Sequence, residues 1–371
     1  MNYTVAAVSG GRRLNDFLKL PFEIYRRDPN WVAPIVSEVR RTLDPTRNPY
    51  FADASLALFL CYRGRTPAAR VAVIINRLHE KKFGVRTAFF GFFETRSDLG
   101  AARALLSAAE RYGRDQGARV MEGPFNPNHY SELGLQLDGF GAPSGFFQTH
   151  NPSYYRDFLE LAGYSLSYRF QTMRNDNIRG TILRRFGKPL PPPAEADGYL
   201  VRSLIESDLA RELERIREVN NAAFASNWHF LPLTREEYAF SAKYLSVVTR
   251  PDLIKIVEHN GEPVAVLHCV LDINPLLRKL RGRVGLLKYL RFRQERKHLR
   301  TLVIYTVAIK PAHQHTRVYG LLLQEFCWIA QGFDVLEATW VSPDNKPALR
   351  GAENLELKPD KHFGIFEKKL S

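Results

Sequence analysis

Sulfur, acid and long apolar runs are what this sequence has least of. Three cysteines and three methionines occur in 371 residues. Cys61, Cys269 and Cys327 each sit inside an apolar run, without metal-ligand spacing. That pattern excludes a disulfide framework and a thiolate metal centre, and it is the pattern of buried, reduced thiols in a cytoplasmic protein. No metal is expected. No stretch approaches the ~20 apolar residues that span a bilayer, and the N-terminus has no hydrophobic signal core. The expectation is a cytoplasmic protein, soluble or peripheral to the inner face of the membrane. Acids are the minority charge: 39 Asp and Glu stand against 53 Lys and Arg, a formal net charge of +14. With 45% hydrophobic and 12% aromatic residues, wholesale disorder is excluded.

What is present is a pattern read twice. An apolar strand (LALFLCYRG from Leu56; LIKIVEHNG from Leu253) reaches a polar turn and a second strand (ARVAVII; EPVAVLHCVLDI). A third strand follows (TAFFGFFE from Thr87; TLVIYTVAI from Thr301), then an amphipathic helix and another strand (ARVMEGPF; DVLEATWV). Each copy closes on an Asn-led helix and a short strand, in residues 151–164 and 344–357. Apolar residues fall at i, i+3 and i+4 in the helices, and the strands are β-branched or aromatic between turn residues. A repeat of this length means duplicated domains, not a solenoid. Two domains of roughly 170 residues also suit the chain length.

Residues 185–198, RFGKPLPPPAEADG, hold four prolines and two glycines. A proline cluster continues neither a helix nor a central strand, so it reads as a semi-rigid linker with the cut near residue 190. The expected division is residues 1–185, a linker 186–198, and residues 199–371.

This order of parts resembles the GNAT acyltransferase superfamily, as two tandem copies over most of residues 10–371. The resemblance implies an α/β fold in which each domain is a twisted mixed sheet flanked by helices. Asn151, Tyr154, Tyr155, Leu159, Glu160, Gly163 and Tyr164 fit the superfamily's last helix well; Asn345, Ala348, Glu353, Leu355 and Leu357 fit it in part. FLKLPFEIYRRDPNWVAP, LDPTRNPYF, GFFE, and GPFNPN with a later DGFGAP narrow the resemblance. They look like a bacterial family of paired GNAT proteins that includes long-chain N-acyltransferases, some implicated in sphingoid-base acylation. A scaffold does not carry its chemistry along, so the site must be argued by itself.

The resemblance implies no permanently bound cofactor and an acyl-CoA or acyl-carrier-protein thioester as co-substrate, held where the third strand meets the main helix. Orphan N–H groups and the partial positive charge of a helix start suit a pyrophosphate there. In the first copy this position reads TRSDLGAARA, where Asp98 caps the helix and repels phosphate. In the second it reads PAHQHTRVYGLLL. The implied donor contacts are Val307, Ile309, Gln314, His315, Thr316, Arg317, Val318 and Gly320. His315 and Arg317 stand where the superfamily usually has glycine, so side-chain charge supplements backbone contacts, or the loop is only a solvated basic one.

Acyl transfer to an amine needs a base, a polarised carbonyl and a stable leaving group. By the resemblance, a backbone N–H within Tyr305–Ala308 holds the carbonyl, and a last-helix Tyr protonates the thiolate. Ala352 occupies that Tyr position in the second copy; Tyr154 or Tyr155 supplies it in the first. Glu337, on an apolar strand, is the candidate base, with an Arg or Lys salt bridge as its alternative role. Asp344 and Asn345 are turn and N-cap residues first and catalytic candidates second. Glu94 follows the wholly apolar FFGFF and completes the catalytic set of Glu337, Tyr305, Asn345 and Glu94. Asn126, Asn128, Tyr154 and Trp340 are the candidate substrate contacts.

Residues 276–300, LLRKLRGRVGLLKYLRFRQERKHLR, carry ten Lys or Arg against one acid, with leucines and Phe292 interleaved. A basic amphipathic insertion suits an anionic membrane surface or an acidic carrier protein. It could also track a tRNA backbone. Three functions follow: a fatty N-acyltransferase acting on a primary amine, an aminoacyl-tRNA-dependent transferase of paired-GNAT architecture, or a GNAT-like binding protein without catalysis.

Overall fold

The computed structural model describes residues 2–128, 130–283 and 285–371, with the backbone alone for 244–248 and 286. The chain falls into two compact units. The first comprises Met1–Phe170, Asn274–Tyr289 and Lys361–Ser371; the second comprises Gln171–Ile273 and Leu290–Asp360. Both sequence copies are visible as the same order of elements. Each compact unit takes in a segment from the other half of the sequence.

The first copy runs β1 (Tyr3–Ala7), α1 (Gly11–Ile24), α2 (Val36–Thr42), β2 (Ala54–Arg63), β3 (Thr66–Asn76), α3 (Arg77–Phe83), β4 (Thr87–Thr95) and α4 (Leu99–Asp115). It continues through β5 (Val120–Gly123), β6 (Phe125–Asn126), β7 (Glu132–Leu133), β8 (Leu135–Gln136), α5 (Tyr154–Leu161) and β9 (Ser165–Asn175). In the first unit β1, β2, β3 and β4 are antiparallel neighbours, and β4 pairs β5 in parallel. β3 is almost wholly buried along its length, as expected of a central strand covered on both faces. One cover is α1, whose Phe17, Leu18 and Leu20 pack with Leu58, Leu60 and Ala72. The other is α4, whose Ala101, Leu105, Leu106 and Ala109 recur at helical spacing and meet Val71, Val73, Phe90 and Met121. Each buried leucine of this kind contributes about 2 kcal/mol by leaving water. Asp98 starts α4 by accepting from the Ala101 N–H at 3.1 Å, which satisfies one of the helix's orphan donors.

The second copy begins after α6 (Ile178–Phe186) with β10 (Glu195–Ala196) and β11 (Tyr199–Ser203). Then come α7 (Leu209–Ala223), α8 (Arg235–Val248), β12 (Ile254–His259), β13 (Glu262–Leu271), α9 (Asn274–Leu280), α10 (Leu286–Glu295) and β14 (Thr301–Ile309). α11 (Val318–Ala330), β15 (Val335–Val341), α12 (Lys346–Asn354) and β16 (Lys358–Lys369) complete it. In the second unit β10 to β14 form an antiparallel run and β14 pairs β15 in parallel. The expected linker therefore ends in structure: Glu195 and Ala196 pair with Leu200 and Tyr199. The prolines at 189 and 191–193 precede that pairing, where a missing N–H costs nothing.

Exchange of segments completes both sheets. Gln171–Asn175, at the end of the first sequence copy, pair antiparallel with β15 in the second unit. Phe366–Lys369, at the end of the second copy, pair antiparallel with β5 in the first. Phe363, Ile365 and Phe366 are fully buried there, and Lys368 Nζ donates to both carboxylate oxygens of Glu110, at 2.8 and 2.9 Å.

The basic insertion is not one continuous amphipathic stretch. α9 buries Leu276, Leu277 and Leu280, and it is fixed in the first unit by Asn274 Nδ2 donating to Ser144 O at 2.8 Å and by Val36 N donating to Gly282 O at 3.2 Å. Along α10, Phe292 is buried while Leu287, Tyr289 and Leu290 are exposed.

Candidate active site

In the second unit the strand β14 has two different edges. On one it pairs with β13 along its whole length, with a bulge at His268/Cys269 that leaves Tyr305 as the extra residue. On the other, the parallel register with β15 runs from Thr301 to Ile304 and no further. A bulge bends the strand that carries it. Among the described residues, then, Tyr305–Ile309 present a strand edge past which β15 does not pair. Val307 is exposed on this stretch, and Ala308 is buried.

The edge leads directly to a helix start. Lys310 N closes the strand on Val264 O at 2.9 Å, and a single 3-10 turn covers Pro311–His313. Gln314, His315, Thr316 and Arg317 are exposed, while Val318 is buried and reaches the loop only through its backbone. Gly320 faces open space, with no atom within 4 Å of the Cβ it lacks. The loop is also tied down internally. Thr316 Oγ1 donates to His313 O at 2.8 Å, Gln314 Nε2 to Ile309 O at 3.3 Å, and the His313 Nδ1 lies 3.1 Å from Tyr199 Oη. Burial and the nearby His259 and Lys310 hold His313 below the ordinary imidazole pKa. Arg317 is paired with Asp197 at 2.6 Å, an exposed contact that a phosphate competes with at little cost.

Behind the edge lies a neutral aromatic pair. His268 is buried, its ring meets Tyr305 edge-on at 5.2 Å, and its Nε2 is 3.1 Å from Thr249 Oγ1. Burial pushes His268 down to about 4 and Tyr305 up to about 12. Near neutral pH both are uncharged, and a phenol that keeps its proton is not poised to accept one.

Glu337 is 3% exposed and lies directly across from Arg174 in the β15–β9 register, and the two form a short ion pair. This is the salt-bridge arrangement that the sequence left open for it. Asn345 Oδ1 accepts from Ala348 N at 3.1 Å, so its side chain caps α12. Trp340 is half-buried with a left-handed φ of 57°. It sits where the β15–β9 register shifts between Ala338 and Val341. Ala352 is buried on α12.

The first unit has the same strand order and a different outcome. Its β4 pairs β5 over Thr87–Phe89, but the chain beyond β5 stays pressed against β4. A Cβ on Gly91 would stand 1.6 Å from Phe125 O, and one on Gly123 would stand 2.2 Å from Phe90 O. Phe92, with φ 49°, donates its N–H to Asn126 Oδ1 at 2.6 Å. Thr95 N donates to Tyr155 Oη at 2.8 Å, and Tyr154 Oη donates to Thr95 O at 2.9 Å. Here the chain after β5 and the tyrosines of α5 take up backbone groups along β4.

Glu94 belongs to that closure. Its Oε2 accepts from Tyr25 Oη and Tyr155 Oη, each at 2.8 Å, and Arg70 lies 3.8 Å from its Oε1. Burial raises the Glu94 pKa against the opposing pull of Arg70 and the two phenols. Asn128 Oδ1 accepts from Tyr130 N at 3.0 Å, holding a turn. The structure thus gathers Tyr305, Val307 and Ile309 with the loop 314–320 in the second unit. It gathers Glu94, Asn126 and Tyr154 in a separate polar cluster in the first. Arg70, Tyr25, Arg174 and His268 were not singled out in the sequence. An Arg within ARVAVII was the available signal for Arg70, as a cation in an apolar strand requires a partner.

No family model matches the chain. Over 381 aligned residues it is 28% identical to a bacterial ceramide synthase of Caulobacter vibrioides, covering 99% of this chain and 97% of that protein. It is 26% identical to Protein YghO of Escherichia coli K12, covering 96% and 93%. Among solved structures, a tandem GNAT protein from the clavulanic acid biosynthesis pathway superposes with a TM-score of 0.59 at 13% identity, over 100% of this chain and 99% of the other. The chain has the tandem GNAT fold. In that fold's terms, β14 and β4 are equivalent strands of the two copies. Among the described residues no helix is long and apolar enough to cross a membrane.

Proposed function

We propose that this protein is an N-acyltransferase that moves a fatty acyl group from a thioester donor to the primary amine of a sphingoid-type lipid, with the donor held by the second unit. The observation that carries the reading is the edge of β14 beyond Ile304, which runs into the exposed loop and the start of α11. A pantetheine arm is an extended chain of amides and matches a strand edge, and a pyrophosphate matches helix-start N–H groups beside His315 and Arg317. The whole-length similarity to a protein named as a ceramide synthase supports the amine class.

In this reading an N–H within Tyr305–Ala308 takes the developing oxyanion as the amine nitrogen bonds to the thioester carbon. The C–S bond then breaks, and the electron pair leaves on sulfur. A thiolate is a tolerable leaving group near neutral pH, which accounts for a buried Ala352 in place of an acid. The amine must still lose a proton, and Glu337 is the candidate base.

The test offers the purified protein palmitoyl-CoA, palmitoyl acyl carrier protein or aminoacyl-tRNA, each with sphinganine, and follows N-acylsphinganine by mass spectrometry. Product from either thioester supports the reading and separates the two donors. Retention of tRNA with no lipid product overturns it in favour of an aminoacyl-tRNA-dependent transferase.

A further inference from the structure

Helix α10 presents a face that the rest of the fold does not use. At ~100° per residue, Leu287, Leu290 and Gln294 fall together on the side opposite Phe292. Phe292 is 7% exposed and anchors the helix, whereas Leu287 is 77% and Leu290 53% exposed. Arg291 and Arg293 border the leucine face on its two sides, and both are exposed. Arg281, Arg283, Lys288 and Lys297 are exposed close by in the sequence, and Lys288 Nζ also donates to Leu280 O at 3.0 Å. The acid of this stretch, Glu295, lies at the last position of the helix.

We propose that α10 is an interfacial anchor that seats the protein on an anionic lipid surface, with Leu287 and Leu290 entering the headgroup–acyl boundary and Arg291, Arg293 and Lys288 meeting lipid phosphates. The arrangement decides between two anionic partners. A face that tracks a nucleic-acid backbone places cations at its centre, because phosphates are what it must contact. Here the centre is two leucines and the uncharged Gln294 with the cations on the rim, the arrangement that buries apolar area in a membrane while pairing charge at its surface. Two leucines and a handful of cations give reversible attachment.

The full-length protein is tested by flotation with phosphatidylglycerol-containing vesicles, pure phosphatidylcholine vesicles and bulk tRNA, at low and high salt. Binding to the anionic vesicles is expected, weakened by salt, and reduced roughly tenfold or more by Leu287→Glu/Leu290→Glu. A milder Leu287→Ser/Leu290→Ser variant, checked for an unchanged thermal melt, should lose binding in the same direction, which separates anchoring from misfolding. No vesicle binding by the unaltered protein overturns the proposal. So does equal vesicle binding by both leucine variants, or tRNA retention without vesicle binding.

Discussion

His268 makes the protein's stability depend on pH in a predictable direction. Its folded pKa is depressed to about 4 by burial, against an unfolded value of ~6.5. The unfolded chain therefore takes up a proton between those limits while the native state does not, and stability falls as pH falls through that window and levels off below it. About 2.5 pKa steps correspond to roughly 3 kcal/mol. Urea unfolding from pH 7 to pH 4 should show this slope, and His268→Gln should flatten it. Glu337 and Arg174 make a second residue-scale test. Arg174→Met removes one half of an ion pair with a buried carboxylate and should cost about 3 kcal/mol, the lower part of the range for breaking buried pairs because Arg174 is itself about a third exposed. Adding Glu337→Gln should recover most of that loss by thermal melt. If turnover also recovers in the double variant, Glu337 is structural; a stable but inactive double variant assigns its carboxylate to chemistry.

Strands and helices show why one copy keeps an accessible edge and the other does not. Gly91 and Gly123 let the chain after β5 lie on β4, with Phe125 O where a side chain would be. Gly91→Ala should therefore destabilise the first unit by about 3 kcal/mol, the upper part of the usual cost of overpacking, read as a lowered denaturant midpoint. Gly320→Ala in α11, facing open space, should be neutral or slightly stabilising in the same assay. These elements also mark how far the sequence could be read. The repeated strand–strand–strand–helix–strand order was legible because β3, β13 and β14 are apolar runs between turns, and α4 and α11 keep helical spacing. The caps at Asp98 and Asn345 were legible from residue type. β10 was not, because a two-residue strand beside four prolines has no pattern of its own. Nor was the docking of α9, since leucines among cations look alike whether they face a partner or solvent. The closure of β4 by Asn126 depends on backbone approach, which no periodicity encodes.

At the scale of the molecule the main device is the exchange of segments between the two halves of the sequence. Lys361–Ser371 belong to the first unit, and their Phe363, Ile365 and Phe366 are fully buried. A chain ending at Asp360 should expose that core and melt at much lower temperature, and residues 1–185 produced alone should not give a stable domain. Cutting the exposed proline segment near residue 190 in the folded protein should instead leave both fragments associated, which size-exclusion chromatography will show. The same feature bears on how the protein is made. Translation delivers the N-terminal residues first, at about 5–20 residues per second. The β5 edge that receives Phe366–Lys369 therefore waits until the whole second copy has been made. For that interval the nascent first unit lacks the strand that covers its β5 edge, and an open strand edge is a template for pairing with another chain.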